Sequence, residues 1–394
     1  MPTFKFYNNN LCTRLELLGR DVKDLLLNNG WLEKNDIDAD YIFINTCAFL
    51  KKTEDYFIQQ IRKIEKEKQI KQKIIVFGCL PQIAEKRLKT NFSGDIIKST
   101  ELKEIANYLN LNWQKELIGR PAFRQKTNFN TFSKLINRYI IKDPYLGFIS
   151  GEPSYHLNIC RGCLGNCSYC VETLARGRLK SKTIEDIIGA IENGLEKGFK
   201  VFSLNGDDVG AFGLDIDKDI ADLLSAILNI KKDFKLILTE FNPCWLVTFK
   251  EKLLPLLLDE RIAHITIPIQ SGSNKILKLM QRGYNIDEVI DIIKEIKKQK
   301  SNITINTHLI AGFPQETKSD FQQTLSLINS GLFDKAKVFG YSDRPEAKSY
   351  QLNQKNSKEI IKKRIAKLKN GILKTSFKSM NLRNIIFNLP LYWK

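Results

Sequence analysis

The sequence predicts an α/β protein with a parallel-sheet N-terminal domain followed by a partial, TIM-like (βα)6 barrel. One pattern, present in two parts of the chain, supports this fold class. In residues 1–110, short apolar runs rich in β-branched residues alternate with helical stretches, and the same alternation resumes over residues 155–345. Strands that are apolar on both faces and separated by helices are typical of parallel sheets covered by helices.

The N-terminal domain, residues 1–112, contains three predicted strands. The predicted elements are a strand at 4–7, a helix at 13–28, a strand at 41–46, a helix at 53–68 and a strand at 74–78. A cysteine follows each strand: Cys12 the first, Cys47 the second and Cys79 the third. Because the carboxyl ends of parallel strands meet at one edge of a sheet, the three thiols are expected to converge there. We favour a metal site over three small buried hydrophobic residues, because all three strands show the pattern.

Residues 113–150 show weak periodicity and are predicted to form a linker, and residues 151–350 are predicted to form the barrel. The predicted barrel strands are 155–160, 200–204, 235–239, 264–269, 304–310 and 336–341. Thr183, with Asp186 three residues on, is predicted to begin a helix that stops at Gly198. Six strand–helix units are fewer than the eight of a closed barrel, so the barrel is expected to be partial.

Residues 351–394 are predicted to be a basic helical tail. They contain 11 Lys or Arg residues and one acidic residue, Glu359, with a helix predicted at 357–373 and apolar residues after it. The whole chain has a formal net charge of +18, which suits a polyanionic partner such as RNA, because neutralising phosphates releases counterions. A basic surface without such a partner is the alternative.

No apolar run approaches the roughly 18 residues that a membrane-spanning helix needs. The N-terminus, Met1 to Lys5, has no apolar signal core. We therefore expect a cytoplasmic protein with no membrane association. In that compartment, the clustered members of the eight cysteines are expected to serve metal or redox chemistry rather than disulfides.

Three cysteines are spaced Cys163-x-x-x-Cys167-x-x-Cys170 just after the first barrel strand. Three thiolates on one loop can bind three irons of a [4Fe–4S] cluster and leave the fourth iron open. An open iron can chelate a small molecule, and the reduced cluster can then split S-adenosylmethionine (SAM) into methionine and a deoxyadenosyl radical. With Cys160 as a fourth ligand, the same run would instead form a closed zinc or ferredoxin-type site. Cys160 fits the strand pattern, however, and the spacing with Tyr169 before the last cysteine favours the open cluster.

The run RGCLGNCSYCVETLARGRLKS, residues 161–181, resembles the radical SAM methylthiotransferases. It is most similar to the archaeal and eukaryotic branch, which acts on threonylcarbamoyladenosine in tRNA. Further matching motifs are NTCAF at 45–49, GCLPQ at 78–82, NGDDVGAFG at 205–213, NP at 242–243, QSGS at 270–273, GFPQET at 312–317 and YSDRPEA at 341–347. The resemblance extends in order over about residues 1–350 and implies that the predicted barrel is a radical SAM barrel.

The resemblance implies SAM and two [4Fe–4S] clusters as cofactors. One cluster would bind SAM on the catalytic Cys163, Cys167 and Cys170, and the other would lie on Cys12, Cys47 and Cys79. In this family the radical removes hydrogen from C2 of the substrate adenine, sulfur comes from the second cluster, and a second SAM supplies the methyl group. A tRNA and a reducing electron-donor protein are the partners that this chemistry implies.

Polar residues of the matched motifs follow the predicted barrel strands, at the carboxyl rim where barrel active sites lie. They are Asp207, Asp208, Asn242, Gln270, Tyr341 and Arg344. The resemblance implies SAM contacts for some of them, and we expect these from Asp207, Asp208 and Gln270. Tyr169, in the cysteine loop, is a further candidate for cofactor binding.

Other charged residues receive weaker assignments. Candidates for RNA contact, with an ordinary surface charge as the alternative, are Arg176, Arg178 and Arg282. The histidines, which are expected to be structural, are His156, His264 and His308.

The sequence also departs from the family pattern. We expect it to lack the small β-barrel RNA-binding (TRAM) domain that family members usually carry, so the basic tail or a partner is expected to bring the RNA. Leu15 replaces a typical Asn, His308 stands where the family often has an acid, and the run TEFNP at 239–243 is a variant. Of the predictions, the radical chemistry is the one least affected by these departures, and the identity of the substrate is the one most affected.

The leading prediction is a tRNA methylthiotransferase that makes the 2-methylthio derivative of threonylcarbamoyladenosine next to the anticodon. A methylthiotransferase acting on a protein or another RNA is the first alternative. A nucleic-acid-binding protein with a structural metal site is an alternative of a different class.

Overall fold

The computed structural model describes residues 1–8, 12–34, 39–113, 119–121 and 154–378. The chain divides into two compact units. The first comprises Met1–Leu117, Cys170–Arg178 and Ser342–Ala347, and the second comprises Ile118–Tyr169, Leu179–Tyr341 and Lys348–Lys394. Most of the predicted linker and the apolar end of the predicted tail lie outside the described residues, and the predicted domain bounds stay a prediction.

The first unit is built on a five-stranded parallel sheet with the strand order β2-β1-β3-β4-β5. Its strands are β1 (Thr3–Tyr7), β2 (Leu32–Glu33), β3 (Tyr41–Thr46), β4 (Lys73–Gly78) and β5 (Asp95–Ile96). Its helices are α1 (Thr13–Asn28), α2 (Lys51–Glu67), α3 (Leu80–Ile83), α4 (Glu85–Asn91), α5 (Leu102–Tyr108) and α6 (Glu172–Arg176). The predicted parallel sheet is confirmed, and α1 has the predicted bounds.

Strands β3 and β4 lie at the centre of this sheet, and nearly all of their residues are buried. The ring of Phe43 meets Phe4 edge-on at 6.3 Å and stacks on Phe6 at 6.0 Å. Burial of such side chains contributes about 1.5–3 kcal/mol each. The result is a firmly packed sheet whose carboxyl edge carries the loops that begin at Cys47 and Cys79.

A buried ion pair within the first unit involves Arg344, which the sequence placed on the barrel rim. That expectation is wrong, because Arg344 is 2% exposed, pairs with Glu54 and donates to the carbonyl of Ala48. Glu54 also accepts hydrogen bonds from Lys51, at 2.8 Å, and from Arg87. Burial acts to raise the pKa of Glu54, but these bonds and the charge of Arg344 hold it below its ordinary value. The charges compensate each other, which is the condition for burying them.

The second unit contains a seven-stranded sheet with the order β14-β13-β12-β11-β10-β7-β6, in which only β6 is antiparallel. Its strands are β6 (Gly119–Pro121), β7 (Tyr155–Asn158), β8 (Cys160–Arg161), β9 (Lys180–Ser181), β10 (Val201–Asn205), β11 (Lys235–Leu238), β12 (Ile262–Thr266), β13 (Thr304–Ala311) and β14 (Lys335–Gly340). Its helices are α7 (Ile184–Glu196), α8 (Ile220–Leu228), α9 (Pro243–Thr248), α10 (Lys250–Leu257), α11 (Asn274–Leu279), α12 (Ile286–Gln299), α13 (Lys318–Asn329) and α14 (Lys358–Lys378), with 3₁₀ turns at Val209–Ala211 and Lys348–Gln351. Six parallel strands in one open sheet give the predicted partial (βα)6 barrel.

The first barrel strand is shorter than predicted. The N–H of Ile159 makes the last hydrogen bond to the large sheet, to the carbonyl of Asn205. The next two residues, Cys160–Arg161, pair with β9 instead. The predicted helix cap is confirmed, since the hydroxyl of Thr183 accepts from the N–H of Asp186 at 3.2 Å.

Helix α13 begins with a capping box between Thr317 and Asp320. The Asp320 carboxylate also accepts hydrogen bonds from Lys275 and Ser273, both at 2.8 Å. Burial acts to raise the pKa of Asp320, but the bonds from Lys275, Thr317 and Ser273 hold it well below its ordinary value.

Helix α14 packs on β13, β14 and α13, so it supplies the helix that follows the sixth barrel strand. Its apolar face buries Leu368 and Ile372, and Arg364 pairs with the buried Glu316 in the loop after β13. The carboxylate of Glu316 in turn accepts from the N–H of Gly312 at 2.7 Å. The basic composition of this segment suggested a tail, but its inner face belongs to the barrel unit. Among the described residues, none of the helices is both long and apolar enough to cross a lipid bilayer.

Candidate active site

The thiols of Cys12, Cys47 and Cys79 lie close enough to influence one another within the first unit. Burial raises the pKa of Cys47 to about 12, with a further contribution from Cys12. Burial likewise raises the pKa of Cys79 well above its ordinary value, and the other two thiols add to that rise. Cys47 and Cys79 directly follow β3 and β4 and belong to one hydrophobic cluster, against which Cys12 packs. Their joint role in holding a second cluster stays a prediction.

Helix α6, which follows the cysteine loop in sequence, places charged groups beside these thiols. Glu172 accepts a hydrogen bond from Arg14 at 2.9 Å, and the two charges act in opposite directions on the pKa of Cys47. Arg176 is 6% exposed and its charge lowers the pKa of Cys79 against the larger effect of burial. The expectation that Arg176 contacts RNA from the surface is therefore wrong, because its side chain is buried near a thiol. Arg178 is exposed, and its RNA contact stays a prediction.

Backbone contacts fix α6 in this position. The carbonyl of Ala175 accepts from Gln82 at 3.1 Å and from Thr100 at 2.8 Å. Gln82 ends the GCLPQ motif and lies three residues after Cys79, which itself follows β4. The same short segment thus carries a candidate ligand and the side chain that holds α6.

Two cysteines of the CxxxCxxC loop belong to the second unit, while Cys170 begins the segment assigned to the first. The sulfur of Cys163 accepts from the N–H of Gly165 at 3.1 Å and lies 3.8 Å from a carboxylate oxygen of Asp208. Burial raises the pKa of Cys163 to about 12, and the charge of Asp208 adds to this. Cys160 is 1% exposed and lies in the hydrophobic core, as its strand pattern predicts.

Arg282 is a charged neighbour of Cys167. Its Nη1 lies 3.3 Å from the sulfur of Cys167, and its Nη2 donates to the carbonyl of Pro268 at 2.9 Å. The guanidinium also lies 5.4 Å from the ring centre of Tyr284, whose hydroxyl donates to the carbonyl of Ile269 at 2.6 Å. Arg282 is 7% exposed, so the predicted RNA contact is wrong. Its burial depends on contacts distant in sequence, which no local pattern reveals.

Asp207 and Asp208 hold the loop and the strand ends in place. Asp207 accepts from the N–H of Gly162, next to the first cysteine, at 2.7 Å. Asp208 accepts from the indole N–H of Trp245 at 2.8 Å and from the backbone of Asn242 at 3.4 Å. Burial raises the pKa of Asp208, although these bonds and the charge of Arg282 oppose the rise. Trp245 was missed at the sequence level, and its only signal was its place three residues after Asn242 of the NP motif.

Gln270 adopts a backbone conformation that non-glycine residues rarely take, with φ of 64°. Its N–H donates to the carbonyl of His308 at 2.8 Å and its carbonyl accepts from Ile310 at 3.0 Å, so it extends the pairing of β12 with β13. Such strain is concentrated at functional sites. Tyr169 is partly buried and packs against the hydrophobic core of the second unit. The SAM contacts of both residues stay predictions.

The donors around the cysteine loop suit thiolate ligands of an iron–sulfur cluster. Within the described ranges, no three His, Cys, Asp or Glu side chains converge closely enough to hold a single metal ion. A [4Fe–4S] cluster is larger and takes one thiolate on each iron. The sulfurs of Cys163 and Cys167 each receive an N–H donor, and Nε of Arg282 is buried without a hydrogen-bond partner. Hydrogen bonds and positive charge directed at sulfur are the contacts by which proteins tune such clusters.

Comparison with known proteins agrees with this chemistry. Residues 157–328 match the model of the radical SAM superfamily, and residues 18–98 match the uncharacterized protein family UPF0004. A solved structure with the same fold is the radical SAM methyltransferase TsrM from Kitasatospora setae. It has a TM-score of 0.60 and 11% sequence identity, and the match covers 89% of this chain and 77% of that one. The fold and the three-cysteine loop define a radical SAM enzyme.

Curated relatives give the family. A probable threonylcarbamoyladenosine tRNA methylthiotransferase of Pyrococcus abyssi is 31% identical over 312 residues, or 78% of this chain and 69% of the relative. A tRNA-2-methylthio-N(6)-dimethylallyladenosine synthase of Thermosipho melanesiensis is 30% identical, covering 86% of this chain and 76% of the relative. The ribosomal protein uS12 methylthiotransferase RimO of Natranaerobius thermophilus is 29% identical, and the match covers 90% of this chain and 78% of the relative. This chain belongs to the radical SAM methylthiotransferase family. It is a transferase whose cofactors are SAM and two [4Fe–4S] clusters.

Proposed function

We propose that this enzyme converts threonylcarbamoyladenosine, at the purine next to the anticodon of tRNA, to its 2-methylthio derivative. The observation that carries the proposal is the similarity to archaeal relatives named for this substrate, including the Pyrococcus abyssi protein at 31% identity and a Methanocaldococcus jannaschii protein at 29%. The archaeal-type run around Cys163 and the net charge of +18 support it. The cytoplasmic location and the electron-donor partner stay predictions.

The roles of the cysteines follow from the chemistry of the donor sets. Cys163, Cys167 and Cys170 would hold the SAM-binding cluster, and Cys12, Cys47 and Cys79 would hold the second cluster. When bound, these groups and SAM supply the radical that removes hydrogen from C2 of the adenine and the sulfur and methyl group that replace it. The protein must hold them in place and keep water away.

Several side chains in the second unit perform that positioning. Asp207 holds the backbone at Gly162, so the loop keeps the shape that presents its thiols. Arg282 directs positive charge at the sulfur of Cys167. Asp208 accepts hydrogen bonds from Trp245 and Asn242, and the same carboxylate lies beside the sulfur of Cys163. We propose that Asp207 and Asp208, which lie beside the cysteine loop, also contact SAM.

Arg176 and the pair of Arg14 with Glu172 have the corresponding role in the first unit. A cluster ligated by thiolates carries negative charge, and a buried arginine beside Cys79 partly offsets it. The pair fixes the N-terminal end of α6 near Cys47. These residues would keep the second cluster's surroundings ordered while sulfur is supplied.

A protein substrate is the second candidate, since the uS12-modifying relative matches 90% of this chain at 29% identity. Membership of an enzyme family removes the earlier alternative of a binding protein with a structural metal site. Nucleoside mass spectrometry of tRNA from cells expressing the chain, against a Cys163→Ala control, separates the two substrates. We expect a methylthio form of threonylcarbamoyladenosine with the intact chain only. Active SAM cleavage without any methylthio nucleoside would remove the tRNA proposal.

A further inference from the structure

The histidine His308 and the carboxylate of Glu240 meet across the inner face of the barrel sheet. His308 lies on β13 and Glu240 follows β11, and their Nδ1 and Oε2 atoms are 3.5 Å apart. Because β12 lies between those strands, the contact must pass over it on one face of the sheet. His308 pairs in register with Lys337 of β14, and a Cβ at Gly340, three residues further on, would meet Ile361 of α14. Gly340 therefore faces the helix, and His308 faces the opposite side of the sheet. The pair therefore lies on the face that lines the barrel interior.

The edge strand β14 adds an aromatic ring and a cation to the same face. Lys337 pairs in register with His308, and Phe339 lies two residues further along. The Phe339 ring is 5.8 Å from the His308 ring, at 90° to it, and the Lys337 ammonium is 5.4 Å from the Phe339 ring centre. Lys335 precedes them on this face, where burial and then the charge of Lys337 lower its pKa to about 8. Lys337 itself is exposed, at the open edge of the sheet.

This set of groups has a definite chemical preference. An aromatic ring offers a surface to a planar heterocycle, and an exposed ammonium at its side favours a ligand that also carries an anion. Glu240 lies 3.5 Å from His308 and orients its ring, so the two side chains offer hydrogen bonds to a ligand on this face. The surface thus fits a purine with an acidic substituent better than one with an apolar substituent.

We propose that Lys337, Phe339, His308 and Glu240 bind the N6 substituent of the substrate adenine, with the Lys337 ammonium paired to its carboxylate. The inference rests on the proposed function, because the threonylcarbamoyl group carries one carboxylate and the dimethylallyl group carries none. Glu240 and His308 both lie at positions where the sequence departs from the family pattern. Their contact explains the two departures together: His308 replaces an acid, and Glu240, on the other side of β12, supplies a carboxylate beside it.

The test compares two anticodon stem-loop RNAs that differ only in bearing threonylcarbamoyladenosine or dimethylallyladenosine. The full chain, reconstituted anaerobically with iron and sulfide, is studied as wild type, Lys337→Ala and Lys337→Arg. Lys103→Ala is the matched control, because its ammonium also lies over an aromatic ring, 5.8 Å from the ring centre of Trp113, and outside the basic C-terminal segment. The readouts are Kd for each RNA by fluorescence anisotropy and KM for methylthio product by mass spectrometry.

We expect Lys337→Ala to weaken binding of the threonylcarbamoyl RNA by about tenfold, the effect of losing one charge-assisted hydrogen bond, and to change Kd for the other RNA little. Lys337→Arg should restore most of the preference, and Lys103→Ala should match wild type. Equal losses for both RNAs would show that Lys337 binds RNA phosphate, and unchanged Kd and KM would show no role; either overturns the inference and leaves the proposed function standing. A wild-type enzyme that forms no product from the threonylcarbamoyl RNA would instead remove the proposed function.

Discussion

Replacing Arg282 with Gln removes the positive charge beside Cys167 and keeps a shorter, polar side chain. The guanidinium lies 3.3 Å from the sulfur of Cys167 and is buried, so it is poorly screened by water. A reduced cluster on this loop carries one more negative charge than an oxidised one. Arg282 therefore stabilises the reduced form, and its loss should lower the reduction potential.

The size of the shift follows from Coulomb's law. With a guanidinium about 6 Å from the cluster centre and an effective dielectric constant of about 20, the interaction is roughly 3 kcal/mol. A one-electron couple shifts by about 59 mV for each tenfold change in equilibrium constant, so this corresponds to about 120 mV. Water entering around the shorter Gln side chain would reduce the effect, and we expect a shift of about 60–120 mV to more negative potential.

The assay is a redox titration of the reconstituted protein followed by electron paramagnetic resonance, with iron content measured on each sample. Arg282→Lys keeps the charge and should shift the potential less than Arg282→Gln. Arg261→Gln is a matched control, because Arg261 is bonded to Asp259 at the amino end of β12, opposite the rim. An Arg282→Gln protein with full iron content and an unchanged potential would refute the proposed interaction.

Three further predictions concern other parts of the molecule. Cys47→Ser should retain formation of deoxyadenosine and lose sulfur insertion, as measured by chromatography and nucleoside mass spectrometry; joint loss in folded protein would contradict separate roles for the two clusters. Glu54→Gln removes the buried carboxylate paired with Arg344, leaving the partly exposed Glu346 at 3.5 Å, and should lower the free energy of unfolding by about 3 kcal/mol in urea titrations. The exposed Glu67→Gln should change it by less than about 0.5 kcal/mol. Asp320 has a lowered pKa in the folded state, so its stabilisation is present above the ordinary value of 3.8 and is lost as pH falls below it. Thermal melts from pH 6 to about pH 3 should therefore show a smaller loss of stability for Asp320→Asn than for wild type, and parallel curves would argue against this linkage.

Local patterns in the sequence were sufficient for the elements and for the cysteine positions. Strands β3 and β4 are apolar on both faces, and each is followed by a cysteine, so a parallel sheet with thiols at one edge could be predicted. The helix cap at Thr183 is likewise a local signal. The family resemblance added the SAM chemistry, which composition and periodicity alone do not contain.

Contacts between residues distant in sequence could not be predicted in this way. Arg344 and Glu54 are 290 residues apart, and Arg282 and Cys167 are 115 apart, so the sequence around each arginine does not reveal its partner. The pairing of Glu240 with His308 depends on the strand order, which places one strand between them. Each case is a buried or half-buried charge whose partner is supplied by the tertiary fold.

Helix α14 determines how a role of the C-terminal region in RNA binding can be studied. Deleting the region from residue 357 onward would remove Arg364, the cation paired with Glu316. The carboxylate of Glu316, which is 1% exposed and holds the loop after β13, would then be buried without that cation. A truncated chain would therefore lose activity through damage to the loop after β13, whatever the helix contributes to RNA affinity. Reversing the charge of the exposed Lys362, Lys363 and Lys367 leaves that attachment intact and separates the two effects.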